Sequence, residues 1–421
     1  MRRIWLGLLV ASALGACSTT TQESAPPRET RFSLLAFGDH GYHHDYLEPE
    51  ERTEFMTPEA FIANERAEWI EDRRPIAEFE ASPMVRLSPN EGYVAASGMM
   101  PVANAMRAWC AQTQCDAGVL LGDNIYPDGA TRGADGRDDA TRFEQILRAP
   151  YAALAEGRPD FRIYASLGNH DWRTSREGAL DQVAYLSRTP PFYMDGLFYS
   201  VRPPGAHGDV EIFVLDTHVL LSGATVYEDV LAEDGSEVET GAIEEPDPWA
   251  RPANDAERNM AQWLEAALAN STARWRIVIG HHPLWSSAGS KFQQARTLRS
   301  LILPALCRYA DMYLAGHEHT LELHTDDCSR VAPGLAPLPE VVSGAAAKQR
   351  PLNSNFVAHQ RRNNPQLDAI YQRGMVWGFS HIEIEGETAT VRMISTPDEG
   401  EHIGAPVVEF ERTFARRSGV R

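Results

Sequence analysis

The chain lacks the features that mark several large classes of protein. Its 421 residues include 59 acidic but only 39 basic side chains, which gives a formal net charge of −20. A nucleic-acid binder needs a basic face to displace counterions from phosphates, so this balance argues against DNA or RNA as a partner. It does not exclude a small phosphorylated substrate, because bound cations can reverse the local field. Beyond residue 17, no apolar stretch is long enough to cross a bilayer.

Cysteine is scarce as well, and its spacing excludes one kind of site. No Cys-x-x-Cys pair occurs, which argues against zinc held by cysteines. Apart from Cys17, an even number of cysteines in an exported chain suggests two disulfides, with three possible pairings. We favour Cys110 with Cys115 and Cys307 with Cys328, because each pair closes a short local segment. Four buried free thiols are the alternative.

The amino terminus has the pattern of an export signal. Arg2 and Arg3 precede an apolar stretch that is too short for a membrane span. The stretch ends in Leu-Gly-Ala-Cys17, which resembles a bacterial lipoprotein signal and implies that Cys17 is lipidated. Residues 1–17 would then be the signal, and the Ser-, Thr- and Pro-rich residues 18–30 a flexible tether. We expect a protein anchored at the cell envelope, on the periplasmic or outer-membrane side; plain secretion after cleavage near Ala16 is the alternative.

The stretch from Leu120 to Gly129 reads L-L-G-D-N-I-Y-P-D-G. The apolar run before Asp123 predicts a buried strand that delivers this carboxylate at its carboxyl end. Tyr126 follows three residues later, and a carboxylate and a phenol can both bind a hard trivalent metal as oxygen anions. By itself, the stretch fits an Asp-Asn turn over a packed aromatic ring equally well.

The same pattern recurs at four other places in the chain. In each, an apolar run ends in glycine and is followed by a residue that can bind a metal. Five such strand ends favour one shared site over five unrelated loops. The four further motifs are Gly38-Asp39-His40-Gly41, Gly168-Asn169-His170-Asp171, Gly280-His281-His282-Pro283 and Gly316-His317-Glu318-His319.

Strand and helix patterns alternate along the first half of the chain, which predicts parallel strands joined by crossover helices. Short strands between residues 192 and 215 favour an antiparallel meander. The whole pattern predicts a layered α/β fold, with two packed β-sheets flanked by helices. A single domain over about 31–415 is expected because the ligands must converge. Its insertions are a segment at 42–98, with a helix over 58–69 that could cover the mouth of the site, and an acidic surface loop at 221–254.

Together the motifs offer more ligands than one first-row metal ion needs. Two ions that share a bridging carboxylate would use them well. Such pairs, about 3.5 to 4 Å apart, neutralise phosphoryl oxygens and make a hydroxide for in-line attack at phosphorus. His170, beside a ligand but with its ring free, is placed to donate a proton or hydrogen bond to the phosphate or leaving oxygen. The candidate ligands are Asp39, Asp123, Tyr126, Asn169, His281, His317 and His319.

The order G-D-x-G, G-D-x-x-Y, G-N-H-D, G-H-x-P, G-H-x-H resembles the purple acid phosphatases within the calcineurin-like metallophosphoesterases, and above all their small, tartrate-resistant type. The resemblance covers most of residues 31–345. It implies a four-layer αββα sandwich with a dimetal site at the strand ends. Further similar segments are Thr189–Tyr193, Ile212–Thr217, Gln262–Leu264 and His281–Ser286.

The resemblance also implies how the ligands divide between two ions. Asp39, Tyr126 and His319 would hold Fe(III), and Asp123 would bridge. Iron is expected there because the family's phenolate stabilises Fe(III), whereas other metallophosphoesterases carry a histidine where this chain has Gly41. The remaining three ligands, Asn169, His281 and His317, would hold Fe, Zn or Mn, which softness does not separate.

One position departs from the family pattern. The small acid phosphatases have a second outer-shell histidine whose place falls here at about Ser290. His170 is then the only proton donor carried over, with His282 and Lys291 as possible substitutes. The family pattern therefore does not fix the pH optimum or the substrate range of this chain. Our hypothesis is that Lys348 or Arg350 meets the anionic substrate; exposed basic residues without that role are the alternative.

Three functions follow from these motifs. The first is an exported, lipid-anchored phosphomonoesterase of the purple acid type that acts on small organic phosphates. The second is a phosphodiesterase or nucleotide hydrolase on the same scaffold, with the segment at 42–98 setting the substrate. The third, a non-catalytic envelope lipoprotein, would be favoured by a missing ligand, and none is missing.

Overall fold

Two mixed β-sheets of seven strands each carry the ligand motifs. The computed structural model describes residues 31–43, 46, 58–71, 74–85, 97–134, 136–245, 247–396 and 406–417. The predicted signal, the tether and Cys17 lie outside these residues and stay predictions. Among the described residues, no helix combines the length and the apolarity needed to span a bilayer.

The first sheet has the order β14-β13-β12-β1-β2-β3-β4. β1 to β4 run parallel, and β12 pairs antiparallel with β1. All five residues of β2 are buried, as expected for a central strand with both faces covered. The strands are β1 Arg31–Phe37, β2 Ala117–Leu121, β3 Arg162–Ser166, β4 Phe192–Tyr193, β12 Gly378–Glu385, β13 Thr388–Ser395 and β14 Val407–Ala415.

The second sheet has the order β11-β9-β10-β8-β7-β6-β5. β6, β7, β8 and β10 run parallel, while β5, β9 and β11 pair antiparallel with their neighbours. The sheets are joined near their carboxyl ends, where the Gly38 N–H donates to the Ser343 carbonyl at 2.8 Å. The strands are β5 Tyr199–Val201, β6 Val210–Val214, β7 Trp275–Ile279, β8 Met312–Ala315, β9 Leu321–Asp326, β10 Leu338–Ser343 and β11 Leu367–Arg373.

Helices flank the sheets, which confirms the predicted layered architecture. Phe292–Tyr309, for example, buries an apolar stripe that includes Leu298, Ile302 and Leu306. The described α-helices are Pro58–Glu71, Ile76–Glu80, Met99–Gln112, Asp139–Phe143, Ala149–Tyr151, Asn169–Trp172, Arg176–Leu186, Thr217–Ser222, Asp255–Arg258, Met260–Asn270, Phe292–Tyr309 and Ser354–Asn363, with a π-helix at Glu144–Arg148 and 3₁₀ turns at Ala152–Ala155 and Pro204–Ala206.

The structure corrects one part of the predicted topology. β4 pairs parallel with β3 in the first sheet, whereas β5 pairs antiparallel with β6 in the second. The region from 192 to 215 is therefore not a meander but the crossing from one sheet to the other. Short strands separated by Gly and Pro carry no signal for the sheet that they join, so periodicity could not show this.

Both favoured disulfides are present. Cys110 and Cys115 close the end of the helix before β2, with a Cα–Cα distance of 5.5 Å. Cys307 and Cys328 tie the helix before β8 to the loop after β9, with a Cα–Cα distance of 5.7 Å. Each link lies on an element next to a ligand-bearing strand, so the disulfides brace the strands that position the site.

Candidate metal centre

Three of the seven candidate ligands follow neighbouring parallel strands of the first sheet. Asp39 lies after β1, Asp123 after β2 and Asn169 after β3. The carboxyl ends of parallel strands meet at one edge of a sheet, so these side chains are brought together although they are far apart in sequence.

The histidines come from the second sheet by the same rule. β7 and β8 are parallel neighbours, and His281 follows the first while His317 and His319 follow the second. The two sheet edges face each other, because the His317 N–H donates to Asp39 Oδ2 at 2.7 Å. All seven predicted ligands are thus placed at one junction between the sheets.

Three of the ligand residues have left-handed backbone conformations. Asp39, Asp123 and His317 have φ of 56°, 52° and 68°. This region is unfavourable for residues with a Cβ and is found most often where surrounding structure forces a functional side chain into place. Each such turn directs the side chain from a strand end into the junction.

Glycine is required where the strand ends approach most closely. Gly122 has φ of 83°, and a Cβ there would lie 2.7 Å from His281 Nδ1. A Cβ on Gly168 would lie 2.3 Å from Asp123 Oδ1. Side chains at these positions would displace the proposed ligands, which explains why glycine precedes the metal-competent residue in these two motifs.

The first ligand group gathers around the Tyr126 phenol. Its hydroxyl oxygen lies 3.1 Å from Asp39 Oδ1, 2.8 Å from Asp123 Oδ2 and 3.2 Å from His319 Nε2. Burial raises the pKa of Tyr126 well above its usual value, and the two carboxylates raise it further. A strongly polarising cation is the partner that a phenolate would need in this position.

The second ligand group is a triangle of lone-pair atoms. Asn169 Oδ1, His281 Nε2 and His317 Nδ1 lie 3.1 Å from one another. Ligands bound at about 2.0 to 2.2 Å to one ion are separated by about 3 Å or slightly more. The triangle therefore fits the edges of a coordination polyhedron around a first-row divalent ion.

Asp123 lies between the two groups and faces both. Its Oδ2 contacts Tyr126, while its Oδ1 lies 3.4 Å from His281 Nε2. Burial by itself would raise the pKa of Asp123, but nearby His281 and His170 hold it well below its usual value. The carboxylate is therefore charged and has one oxygen for each group, as a bridging ligand requires.

These donors fit a pair of metal ions by their chemistry as well as by their spacing. Asp39, Tyr126 and His281 are fully buried, and burial raises the pKa of Asp39 well above its usual value. Two carboxylates and a phenol held together in the interior need positive charge to be ionised at once. Two cations would supply that charge.

The accessible side of the centre is made by Asn169 and three histidines. His170, His317 and His319 are 7 to 9% exposed, whereas the deepest ligands are not exposed at all. His170 Nδ1 bonds to the Pro127 carbonyl, and its Nε2 lies 4.0 Å from Asp123 Oδ2. Burial lowers the pKa of His170 to about 4. The Pro127 carbonyl thus orients the His170 ring through Nδ1, and Nε2 lies on the side where a substrate would enter.

Sequence reasoning missed Asp171, which holds two loops of the site together. Its buried carboxylate accepts from the backbone N–H groups of Gly168 at 2.8 Å, Asn124 at 3.0 Å and Ile125 at 3.1 Å. Asp171 therefore joins the loop that bears Asp123 to the turn that bears Asn169. The one sequence feature that pointed to Asp171 was its position in the motif Gly168-Asn169-His170-Asp171.

Thr217 was also missed as a residue that positions the histidine loop. Its hydroxyl oxygen accepts from the backbone N–H groups of His281 at 3.1 Å and His282 at 3.0 Å. Asp216, one residue earlier, caps the helix Thr217–Ser222 by accepting from the Val219 N–H. The cap holds the start of this helix in place, and with it the Thr217 hydroxyl that accepts from the His281 N–H.

Two of the suggested substitutes for the missing histidine are directed elsewhere. His282 is 1% exposed and lies beneath His317, with ring centroids 4.5 Å apart, which leaves no surface for a substrate contact. Lys291 Nζ lies 3.0 Å from Glu244 Oε1 in the acidic segment. Burial argues against the suggested role of His282, whereas the role of Lys291, whose side chain is 43% exposed, stays a prediction.

Ser290, at the position where the family pattern has a histidine, belongs to a small, partly buried network. Its hydroxyl donates to Glu318 at 3.0 Å and accepts from Arg350 Nη1 at 3.0 Å. Arg350 also pairs with Glu318, and its backbone N–H donates to the His319 carbonyl at 3.0 Å. A guanidinium is therefore held beside the ligand histidines by a buried carboxylate.

Lys348 lies next to the ligand Tyr126. Its Nζ is 5.2 Å from the centroid of the Tyr126 ring and 4.5 Å from that of Tyr42. Of the two candidate substrate contacts, Lys348 thus lies near the ligand Tyr126, and Arg350 lies near the ligands His317 and His319.

A family model decides the membership of the chain. The model described as calcineurin-like phosphoesterase matches residues 102–321, slightly more than half of the sequence. The chain is a calcineurin-like phosphoesterase. As a member of this family, it is a metal-dependent hydrolase of phosphoric esters. The matched region contains every candidate ligand except Asp39.

Curated relatives of this phosphoesterase are purple acid phosphatases. Purple acid phosphatase 17 of Arabidopsis thaliana is 28% identical over 272 residues, which are 63% of this chain and 69% of the relative. Tartrate-resistant acid phosphatase type 5 of Mus musculus is 27% identical over 276 residues, 64% of this chain and 72% of the relative. The relatives imply a dinuclear metal centre, which the two ligand groups fit.

Solved structures share the fold of this phosphoesterase. Purple acid phosphatase PPD1 from yellow lupin (Lupinus luteus) seeds has a TM-score of 0.52 at 14% identity, and the match covers 94% of this chain and 55% of that one. GAP50, the anchor in the inner membrane complex of Plasmodium, has a TM-score of 0.53 at 13% identity, covering 92% and 89%. At these identities, the likeness extends to the fold alone.

Proposed function

We propose that this phosphoesterase is a dimetal phosphomonoesterase of the purple acid phosphatase type. One observation supports the proposal above all: seven donor side chains form two groups that share Asp123. Bound there, two metal ions would supply the attacking hydroxide and neutralise the phosphoryl oxygens. Asp39, Tyr126 and His319 would hold one ion, Asn169, His281 and His317 the other.

Monoesters are favoured by the cationic groups at the entrance. A phosphate monoester carries up to two negative charges, whereas a diester carries one. Lys348 lies beside the ligand Tyr126 and adds a positive charge there, whereas Glu318 neutralises Arg350, so the more highly charged substrate gains more from Lys348. A phosphodiesterase or nucleotide hydrolase is the second candidate, because helix Pro58–Glu71 and helix Ile76–Glu80 of the insertion lie near the same entrance and could accept a larger leaving group.

The two candidates are separated by a direct comparison of substrates. We expect purified, metal-loaded protein to hydrolyse 4-nitrophenyl phosphate with a higher kcat/KM than bis(4-nitrophenyl) phosphate. The opposite order would favour the phosphodiesterase. No hydrolysis of either ester by protein with two bound metal ions would refute both.

Iron in the tyrosine-containing site gives a spectroscopic prediction. Fe(III) bound to the Tyr126 phenolate should give a visible charge-transfer band, and Tyr126→Phe should abolish it because no other phenol belongs to the seven donors. The measurement is a visible absorption spectrum combined with metal analysis of both proteins. A colourless but active wild-type protein without iron would contradict the assignment.

His170 is proposed to supply the proton that the leaving group needs. In hydrolysis a water oxygen forms the new bond to phosphorus, the bond from phosphorus to the ester oxygen breaks, and that oxygen takes up a proton. The Pro127 carbonyl holds His170 Nδ1, which leaves Nε2 directed toward the substrate side. Because burial lowers the pKa of His170 to about 4, the ring would carry this proton with the negative phosphate beside it, which favours the charged form. A positioned acid of this kind contributes about 10²- to 10⁴-fold to rate.

His170→Ala should therefore slow poor leaving groups more than good ones. We expect a loss of about 10²-fold or more in kcat with an alkyl phosphate and of about tenfold or less with 4-nitrophenyl phosphate, whose alcohol needs no protonation. Steady-state kinetics with both esters checks this. Equal losses would argue that His170 binds the phosphate instead of protonating the leaving oxygen.

A further inference from the structure

A cavity of about 210 Å³ opens beside the metal centre, in the part of the chain that interrupts the family pattern. We call it the insertion pocket and define it by Tyr42, Phe61, Trp69, Phe79, Lys348 and Trp377, which lie along its wall. Phe61 and Trp69 come from the helix Pro58–Glu71, and Phe79 from the short helix that follows. The insertion therefore builds one wall of the pocket, and Lys348 and Trp377 of the core fold belong to the other.

The insertion pocket adjoins the metal centre at two of its residues, Tyr42 and Lys348. The ring of Tyr42 lies 6.0 Å from that of the ligand Tyr126, edge to face. The Lys348 amine lies over both rings. A substrate whose phosphate reached the ligand histidines would have this pocket next to its ester oxygen.

Part of the wall of the insertion pocket consists of packed aromatic rings. Trp69 and Phe79 pack with ring centroids 5.7 Å apart, and the Trp69 indole N–H donates to the Pro75 carbonyl at 3.0 Å. Trp377 packs against Gly98, where a Cβ would lie only 2.4 Å from the ring. Among the residues that the structure describes, the buried Trp377 indole nitrogen has no hydrogen-bond partner. Flat rings around a small cavity favour a flat ligand.

The rim of the insertion pocket limits the charge of that ligand. Glu65 and Glu68 of the insertion helix border it, as do Arg74 and Lys348. Lys348 lies toward the metal centre, where the phosphate would be bound. The two carboxylates and the two cations of the rim balance each other, so the rim favours neither a positive nor a negative charge on the ligand.

We propose that the insertion pocket binds the leaving group of the substrate, and that this group is an uncharged aromatic ring system of one or two rings. The proposal rests on the proposed phosphomonoesterase function and specifies its substrate class. An aromatic alcohol would place its ring against Trp69, Phe79 and Trp377 while its phosphate reached the metal centre.

The test compares two phosphonates that resist hydrolysis, naphthylmethylphosphonate and methylphosphonate, by calorimetric titration of the metal-loaded protein. Wild type should bind the naphthyl compound at least about tenfold more tightly, because burial of the ring removes apolar surface from water. Trp69→Ala should reduce this ratio to about threefold or less, while Trp69→Phe should keep most of it. Methylphosphonate affinity should be unchanged in both variants, which also shows that they are folded.

A matched control is Trp263→Leu. Trp263 packs against Phe198 on helix Met260–Asn270 and does not line the pocket, so its removal should leave the ratio unchanged. If wild type hydrolyses phosphate monoesters but binds both phosphonates equally, the insertion pocket is overturned and the proposed function stands. If it binds the naphthyl compound more tightly but hydrolyses no phosphate ester, the proposed function fails and the pocket stands. A ratio that survives Trp69→Ala also overturns the pocket.

Discussion

Asp123→Asn should reduce kcat for 4-nitrophenyl phosphate by about 10³-fold or more. Asp123 gives one oxygen to each ligand group, and an asparagine would offer one neutral oxygen and an amide that donates. The loss of a shared charge between two cations removes several kcal/mol of stabilisation, and each 1.4 kcal/mol is about a factor of ten in rate. Kinetics and metal content should be measured on the same preparations.

The control for this variant is Asp181→Asn. Asp181 is exposed and pairs only at the surface with Arg132, so rate and metal content should match those of wild type. If Asp123→Asn kept two metal ions and a rate within tenfold of wild type, Asp123 would not be the bridge.

Asp171→Ala should lower the free energy of unfolding by about 3 to 5 kcal/mol. The substitution leaves three buried backbone N–H groups without their acceptor, and each such loss costs about 1 to 3 kcal/mol. The midpoint of urea unfolding, followed by tryptophan fluorescence, should fall by about 1 M. Activity should fall as well, because the loops that carry Asp123 and Asn169 lose their connection.

Asp128→Ala is the matched control, since Asp128 lies in the same loop as Asp123 but is 44% exposed. Its unfolding midpoint should stay close to that of wild type. A midpoint for Asp171→Ala equal to that of Asp128→Ala would show that the three N–H groups find other acceptors and that Asp171 does not hold the loops.

The sequence predicts which side chains the fold brings together, because the relevant signal is local. An apolar run, a glycine and then a ligand mark the end of a buried strand, and parallel strands bring such ends together. Asp123 after β2 and His281 after β7 show this: each was assigned from a few neighbouring residues, and the structure places them 3.4 Å apart. The layered α/β architecture followed from the same alternation.

What sequence reasoning could not provide depends on distant partners. Asp171 acts through N–H groups 46 and 47 residues away, and Glu318 through Arg350, 32 residues later. Neither pairing leaves a periodic trace. The same limit applies to β4 and β5, whose two- and three-residue runs do not specify which sheet they join. It applies also to the insertion pocket, since the segment resembles no part of the family pattern.

The account depends on two cations held between the sheets, and a crystal structure of the metal-loaded protein with anomalous scattering data tests this most directly. We expect two anomalous peaks about 3.5 to 4 Å apart, one within bonding distance of Tyr126 and the other of Asn169, with Asp123 between them. A single peak, or two peaks bound at separate places without Asp123 as a shared ligand, would contradict the account.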